Sequence, residues 1–307
     1  MTDYIQQICQ SFLDTSKAMS YLIVGANGVG KRALIDSVAQ KLLGQQAMAS
    51  GFKILECGLT EEAKKKIQKD ILEGRSVEQT SDDDKKNEIT VDDVRSAMTF
   101  LALKTTLPCK ILVISLAEQM NPNAQNALLK TLEEPFEKTL IFLLSENPAK
   151  LLPTILSRCQ KIYLHPVSLP ELVGQIQQQY PDIQNPEIVA ELADGLPGIA
   201  REICENDGLN LYNRLGCFFI PVRQQNISDV LNFAQETAKD KHQWHLVCFF
   251  ILKFLNYQAV HHSLDEAQSY ITLYTKTESL IRKTDSLYLD KAQVLSDILL
   301  NISEHLS

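Results

Sequence analysis

Short apolar segments alternate with amphipathic segments over the first half of the chain, and this pattern predicts an α/β arrangement. Apolar runs of strand length predict buried strands, because a parallel sheet covered on both faces needs continuous apolar stretches. The predicted strands lie at 20–24, 52–57, 110–115 and 139–144. Apolar positions at helical spacing predict helices at 4–16, 32–43, 90–104 and 151–156, and a further helix after residue 121.

Capping residues mark the ends of two of these helices. Thr90 is a favourable N-cap. Asn121 is a second N-cap, and Pro122 suits the first helical position, where a missing N–H costs nothing. Pro135 ends that second helix. The short helix at 151–156 leads to Arg158, so one permanently charged side chain is expected at the end of a short element.

All periodic segments after residue 165 are helical, and this predicts an all-α second half. Helices are expected at 169–179, 186–193, 198–206, 227–239, 243–261, 264–283 and 290–305. The change in pattern predicts three domains, at 1–165, 166–208 and 209–307. The histidines of this half lack the cysteine and carboxylate neighbours of a metal site, so no bound metal is predicted.

Charge argues against a protein that mainly grips nucleic acid through its own surface. The formal net charge is −8, whereas such proteins carry a basic face. Contact with DNA as one member of an assembly stays open. The segment 59–88 is rich in charge of both signs, which predicts a solvated helix followed by a loop rather than a DNA-binding patch.

Composition describes an intracellular globular protein of two or three domains. The 307 residues include 45% hydrophobic residues, an ordinary proportion for packed domains. The seven cysteines are scattered without a C-x-x-C pair, which predicts free thiols, no zinc site and no disulfide framework. There is no signal-peptide pattern, and the longest apolar run is too short to span a bilayer. We therefore expect a soluble cytoplasmic protein.

The segment GANGVGKR, at residues 25–32, is a candidate phosphate-binding loop. It follows a predicted strand and precedes a predicted helix, the context that such a loop requires. Gly25, Gly28 and Gly30 would let backbone N–H groups converge on phosphate oxygens, and Lys31 would add a positive charge. Arg32 stands where a hydroxyl normally holds Mg²⁺, and it cannot ligate a cation. Whether Arg32 adds to the positive charge or fills the pocket stays open.

The strand at 110–115 lacks the acidic residues that position Mg²⁺ and the attacking water in nucleotide hydrolases. It runs into Ser115 and Leu116, and the first acid is Glu118. Glu118 is either a displaced catalytic acid or a surface carboxylate, and we favour the surface carboxylate. The metal and water-activating groups are therefore predicted to be missing.

Four segments together resemble a known family. ITVDDVRSAMTFLALK, KILVIS, AEQMNPNAQNALLKTLEEP and LLPTILSRCQKI are similar to the bacterial DNA polymerase III clamp loader, and most of all to its delta-prime subunits, of the AAA+ superfamily. The resemblance covers 18–165 well and extends to GLPGIAREI at 195–203. It implies an AAA+ P-loop α/β domain at 1–165, a small helical lid at 166–208, and a C-terminal helical collar for oligomerisation at 209–307.

The resemblance also implies roles for particular residues. Arg158, with Ser157 and Cys159 in an SRC motif, matches an arginine finger that acts in trans on ATP held by a neighbouring subunit. A surface salt bridge is the alternative role, which the SRC context disfavours. Arg201 matches the position of a second phosphate-contacting arginine, although a helix-surface charge is an equally good interpretation.

Two further residues are implied as candidates for sensing the γ-phosphate. They are Ser145 and Asn147, which follow the predicted strand at 139–144. The four-cysteine zinc module that many relatives carry is not matched, because only Cys57 lies in the corresponding interval. We therefore predict no bound zinc, although many members of the family carry that module.

The implied function is that of a delta-prime subunit, a component of DNA polymerase III that takes part in loading the sliding clamp during DNA replication. Such a subunit is a stator: it does not hydrolyse ATP itself. The implied partners are motor ATPase subunits and delta in a hetero-pentamer, the sliding clamp, and primed DNA through the assembly, with no membrane. No cofactor is required, and ATP or ADP binding without hydrolysis stays open. The alternatives are an active AAA+ P-loop ATPase, such as a clamp-loader motor subunit, and a plain interaction module.

Overall fold

A computed structural model describes residues 2–15, 17–56, 88–220, 226–287 and 289–306. The chain divides into two compact units, Met1–His165 and Pro166–Ser307. Nearly all of the charged segment predicted at 59–88 lies outside the described residues. No helix in the described ranges is long and apolar enough to cross a lipid bilayer.

The first unit is built on a parallel five-stranded sheet with the order β2-β3-β4-β1-β5. The strands are β1 Met19–Val24, β2 Phe52–Leu55, β3 Lys110–Ile114, β4 Thr139–Ser145 and β5 Gln160–Tyr163. The four predicted strands are confirmed. The pattern missed β5, because only Ile162 of its four residues is buried and no continuous apolar run marks it.

The helices of the first unit are α1 Thr2–Thr15, α2 Lys31–Gly51, α3 Val91–Ala102, α4 Pro122–Glu133 and α5 Pro153–Arg158. A capping box of Thr90 and Asp93 begins α3, and the Asn121 side chain begins α4 by accepting from the Ala124 N–H at 2.9 Å. Both predicted caps are confirmed. The predicted helix end near residue 43 is confirmed, because Gly44 has a φ of 69° and a ψ of 166°, outside the helical region, and a second helical segment follows it to Gly51.

Alternate residues of the central strands pack under α3 and α4, as the pleat of a sheet requires. Leu112 and Ile114 of β3 belong to this core, together with Leu128 of α4 and Ile155 of α5. Ile111 and Val113 are equally buried and point to the opposite face of the sheet. Because both faces are covered, β3 is apolar from Ile111 to Ile114 and β4 from Leu140 to Leu144.

The second unit is helical throughout its described residues. Its helices are α6 Leu169–Gln179, α7 Pro186–Leu192, α8 Pro197–Glu205, α9 Gly208–Gly216, α10 Ile227–Ala238, α11 Lys241–His261, α12 Leu264–Leu287 and α13 Lys291–His305. The prediction of an all-α second half is confirmed. The division into a lid at 166–208 and a collar at 209–307 remains a prediction.

Candidate functional site

Arg158 lies at the junction of α5 and β5, where its backbone is held from both sides. Pro153 begins α5 and Ile155 anchors the helix in the core. Cys159 turns the chain into an extended conformation, and β5 then pairs with β1. A residue between a packed helix and a paired strand has little backbone freedom. The six-residue helix therefore acts as a rigid arm that presents Arg158.

The Arg158 guanidinium contacts two acceptors within its own chain. Nη2 lies 2.6 Å from Glu133 Oε1, and Nη1 donates to the Thr154 carbonyl at 3.1 Å. The Ser157 hydroxyl donates to the same carbonyl at 3.0 Å. The Arg158 side chain nevertheless keeps 34% of its surface exposed. A guanidinium has five N–H donors, so donors remain for an external phosphate group.

Cys159, the third residue of the SRC motif, packs in the core and contributes to the structure. Its side chain is buried in the core beside α4 and α5. Burial raises the pKa of the Cys159 thiol to about 11, and nearby Lys161 opposes that rise. The thiol is therefore protonated at neutral pH, when only a thiolate would react or bind a metal. Cys159 anchors the arm that carries Arg158.

Gln125 on α4 ties down the segment that leads into the arm. Its amide nitrogen donates to the Met120 carbonyl at 3.0 Å and the Lys150 carbonyl at 3.4 Å. Its amide oxygen accepts from the Leu152 N–H, one residue before α5, at 2.9 Å. No sequence motif singles out Gln125. Its position between Ala124 and Leu128 on the buried face of α4 was a usable signal, because a polar residue there must find partners.

The phosphate-binding loop joins β1 to α2 as the sequence predicts. Gly28 and Gly30 have φ values of 78° and 102°, which side chains other than glycine rarely adopt. A Cβ atom on Gly25 would lie 2.8 Å from the Leu164 carbonyl oxygen, so the loop also needs glycine for close packing. The loop retains the backbone form of a phosphate site.

The ammonium group of Lys31 is bound by other groups of the same chain. Its side chain is only 10% exposed, and Nζ lies 3.8 Å from Glu146 Oε1. Nζ also donates to the carbonyls of Gly25 and Ala26 at 2.6 and 3.0 Å. Burial lowers the pKa of Lys31, while the carboxylates of Glu146 and Glu118 act to raise it. One positive and two negative side chains thus share the place where a phosphate would bind.

Arg32 is directed along the surface of α2. Its Nε donates to Asp36 Oδ1 at 2.7 Å, and its guanidinium carbon lies 5.6 Å from the centre of the Phe52 ring. A carboxylate one helical turn away and an aromatic ring both stabilise the charge of an arginine side chain. These contacts account for its charge without a phosphate.

The expectation that Glu118 is a surface carboxylate is wrong. Its Oε1 accepts from the backbone N–H groups of Glu146 and Asn147 at 2.9 and 3.2 Å. Its Oε2 is buried and has no hydrogen-bond partner in the described part of the chain. Glu118 therefore joins the ends of β3 and β4, because backbone N–H groups left free after a strand need an acceptor.

Ser115 and Leu116 stand where acidic residues would be needed for hydrolysis. The Ser115 N–H donates to the Leu55 carbonyl at 2.8 Å, and Leu116 has a φ of 50°. Ser145, at the end of β4, is fully buried, and its hydroxyl has no hydrogen-bond partner among the described residues. Its carbonyl accepts from the Gly25 N–H at 3.2 Å, so this strand end adjoins the phosphate-binding loop.

Arg201 lies on α8 in the second unit and is largely exposed. Its Nε is 3.9 Å from Glu205 Oε2, one helical turn away. This is the geometry of an exposed ion pair on a helix, which contributes little to stability. The side chain is thus found in the helix-surface role that the sequence left open.

The parallel sheet, the glycine-rich loop at the carboxyl end of β1 and the helical second half define a P-loop-type α/β unit followed by an all-α unit. The predicted combination of an α/β and an all-α part is confirmed. The chain belongs to the family described as DNA polymerase III, delta subunit, whose model matches residues 2–168. The resemblance stated from the sequence motifs is thereby confirmed.

Individual relatives agree with this assignment. The chain is 39% identical to the DNA polymerase III subunit delta' of Pseudomonas aeruginosa over 145 residues, which are 46% of this chain and 42% of that protein. It is 35% identical to the delta' subunit of Escherichia coli over 124 residues, 40% of this chain and 37% of that protein. The chain thus matches less than half the length of these relatives.

A solved structure supports the fold over the whole chain. A DNA polymerase III gamma subunit-related protein from Thermotoga maritima superposes with a TM-score of 0.53 and covers 99% of both chains, at 18% identity. At that identity the likeness concerns the fold alone.

Proposed function

We propose that this chain is a delta-prime subunit of the DNA polymerase III clamp loader, a stator that presents Arg158 to ATP held by a neighbouring motor subunit. The observation that carries the proposal is the placement of Arg158. Its guanidinium stands partly exposed at the end of a rigid arm. The identity with proteins named delta' supports the assignment.

The chemistry of the proposed role follows from the guanidinium. It stays charged at every physiological pH and binds phosphate oxygens in a planar fork. In phosphoryl transfer, negative charge spreads over the oxygens of the γ-phosphoryl group, and a cation placed there lowers the barrier. A rigid arm helps because the side chain is already oriented when the neighbour's nucleotide arrives.

The proposed partners are those of a ring-shaped loader. The chain would assemble with motor ATPase subunits and delta in a hetero-pentamer, and through it act on the sliding clamp and on primed DNA. Its own net charge of −8 suits a subunit that reaches DNA mainly through the assembly rather than by a basic face.

The chain's own phosphate-binding loop is proposed to be a relic that binds nucleotide weakly and does not hydrolyse it. A nucleotide would have to displace two carbonyls and one carboxylate from Lys31. It would also bring its anionic phosphates toward Glu146 and Glu118, the carboxylates that act on Lys31. The negative charges of these carboxylates repel the phosphates and therefore weaken nucleotide binding at this site.

Titration with a fluorescent ATP analogue should give a dissociation constant weaker than roughly 0.1 mM, with no dependence on Mg²⁺. Glu146→Gln should tighten binding by about tenfold, because it removes a negative charge next to Lys31. Glu137→Gln changes an exposed glutamate between α4 and β4 and serves as the control. Tight binding that requires Mg²⁺ would contradict the relic assignment.

The proposed function is tested by comparing hydrolysis by the chain alone with hydrolysis by the assembly. The purified chain should release no phosphate from ATP, with or without primed DNA. Adding it to motor and delta subunits should produce a complex whose ATP hydrolysis rises with primed DNA and clamp. Steady hydrolysis by the chain alone that Lys31→Ala abolishes would establish the rival function, an active P-loop ATPase. A plain interaction module would enter the complex, and neither Lys31→Ala nor Arg158→Ala would then change ATP hydrolysis.

A further inference from the structure

We propose that Glu133 is a positioning residue that orients Arg158 toward the neighbouring subunit's ATP. The proposal rests on the proposed function, since it concerns how Arg158 performs that role. Glu133 is the last residue of α4, and Arg158 is the last residue of α5. The two helices pack against each other, and this packing brings their carboxyl ends together.

The contact between the two side chains is close and charge-assisted. Arg158 Nη2 lies 2.6 Å from Glu133 Oε1, and both side chains remain partly exposed, 34% for Arg158 and 48% for Glu133. A bond of this length between ionised groups is among the stronger hydrogen bonds in proteins. An exposed pair of this kind nevertheless contributes little to folding. The consequence of the pair is therefore expected in orientation rather than in stability.

Two acceptors on different elements define the direction of the guanidinium. The Thr154 carbonyl, in the helix that carries Arg158, takes a hydrogen bond from Nη1, and Glu133, in another helix, contacts Nη2. Anchoring both terminal nitrogens restricts the rotation of a long, flexible side chain. Of the five N–H donors, three remain to bind phosphate oxygens. Glu133 thus restricts the side chain without using up its capacity to bind phosphate.

The position of Glu133 is otherwise unfavourable for its charge. Carboxylates are disfavoured at the carboxyl end of a helix, where the helix dipole is negative, whereas cations are favoured there. Arg158, at the end of α5, gains from the dipole, while Glu133, at the end of α4, does not. The contact with Arg158 offsets the cost of placing Glu133 at this helix end.

The experiment is a double-mutant cycle in the reconstituted clamp loader. Wild type, Glu133→Ala, Arg158→Ala and the double variant are assembled with motor and delta subunits, and each pentamer is isolated by size before assay. ATP hydrolysis stimulated by primed DNA is measured as kcat and KM. Glu133→Ala should lower kcat about tenfold, as expected when a catalytic group is misplaced, and leave the KM for ATP within a factor of about two.

The variants distinguish orientation from other roles. Glu133→Gln keeps an oxygen acceptor and should give an intermediate kcat, while Glu134→Ala, at the adjacent exposed glutamate, should behave as wild type. In the Arg158→Ala background, Glu133→Ala should cause no further loss, because residues that act through one another are not additive. The thermal midpoint of the chain should be unchanged by Glu133→Ala.

Three results would overturn the proposal. A Glu133→Ala complex with wild-type kcat would show that the pair does not orient Arg158. A faster complex, or a tighter KM, would show that Glu133 competes with phosphate for the guanidinium. An additive loss in the Arg158→Ala background would show that Glu133 acts elsewhere. If Arg158→Ala leaves kcat unchanged, the proposed function fails and this inference fails with it. If Arg158→Ala lowers kcat strongly while Glu133→Ala leaves it unchanged, only the inference is overturned.

Discussion

Arg158→Ala is expected to slow ATP hydrolysis at the motor site that Arg158 serves by on the order of 10³-fold, the range found for arginine fingers in other phosphoryl-transfer proteins. The reason is that the guanidinium would stabilise the developing charge on the γ-phosphoryl, and alanine offers no charge or hydrogen bond in its place. Single-turnover hydrolysis by the isolated pentamer should lose one kinetic phase. Clamp loading on primed DNA, measured in the same samples, should fall with it.

Two control variants separate the finger role from a general loss of charge. Arg158→Lys retains the charge but lacks the planar fork, so its activity should lie between alanine and wild type. Arg95→Ala removes an exposed arginine of α3 that pairs with Asp92 and should leave hydrolysis unchanged. Wild-type clamp loading by the Arg158→Ala pentamer would remove the basis of the finger assignment.

Gln125→Ala is expected to lower the free energy of unfolding by about 3 kcal/mol, because it leaves one buried and one partly buried backbone group without these partners. The groups are the Leu152 N–H and the Met120 carbonyl, which Gln125 satisfies at 2.9 and 3.0 Å. Denaturant unfolding monitored by circular dichroism measures the change. Hydrolysis by the pentamer should also fall, since α5 and Arg158 follow directly from the segment that Gln125 holds.

Gln125→Met provides the matched control for lost volume. Methionine fills a similar space but accepts and donates no comparable hydrogen bonds, so most of the destabilisation should persist. Alanine should be worse than methionine by the cavity that it leaves. A methionine variant as stable as wild type would mean that the hydrogen bonds of Gln125 do not support the arm.

Local patterns were sufficient where a segment's conformation depends on its own residues. The strands β3 and β4 each contain a continuous apolar run of four or five residues, and burial on both faces requires such runs. The caps at Thr90 and Asn121 were also predictable, because a capping side chain bonds to backbone groups two or three residues away. The glycines of the phosphate-binding loop belong to the same class.

Elements that depend on a distant neighbour were not predictable in this way. The four residues of β5 form a strand because β1 offers them backbone partners, and their own pattern is mostly exposed. Glu118 was assigned to the surface because nothing local revealed that two N–H groups after β4 would meet it. The partner of Arg158 was equally hidden, since Glu133 lies in a separate helix.

Local periodicity, caps and short motifs were enough to predict the fold class, the family and the candidate residues. The electrostatic surroundings of the two basic groups, in contrast, became visible only in the folded chain. Lys31 faces Glu146 across the ends of different elements, while Arg158 is held by Glu133 yet stays partly exposed. Contacts between residues far apart in the chain form only after the sheet and helices have packed. Packing therefore encloses the lysine among acids and presents the arginine to solvent.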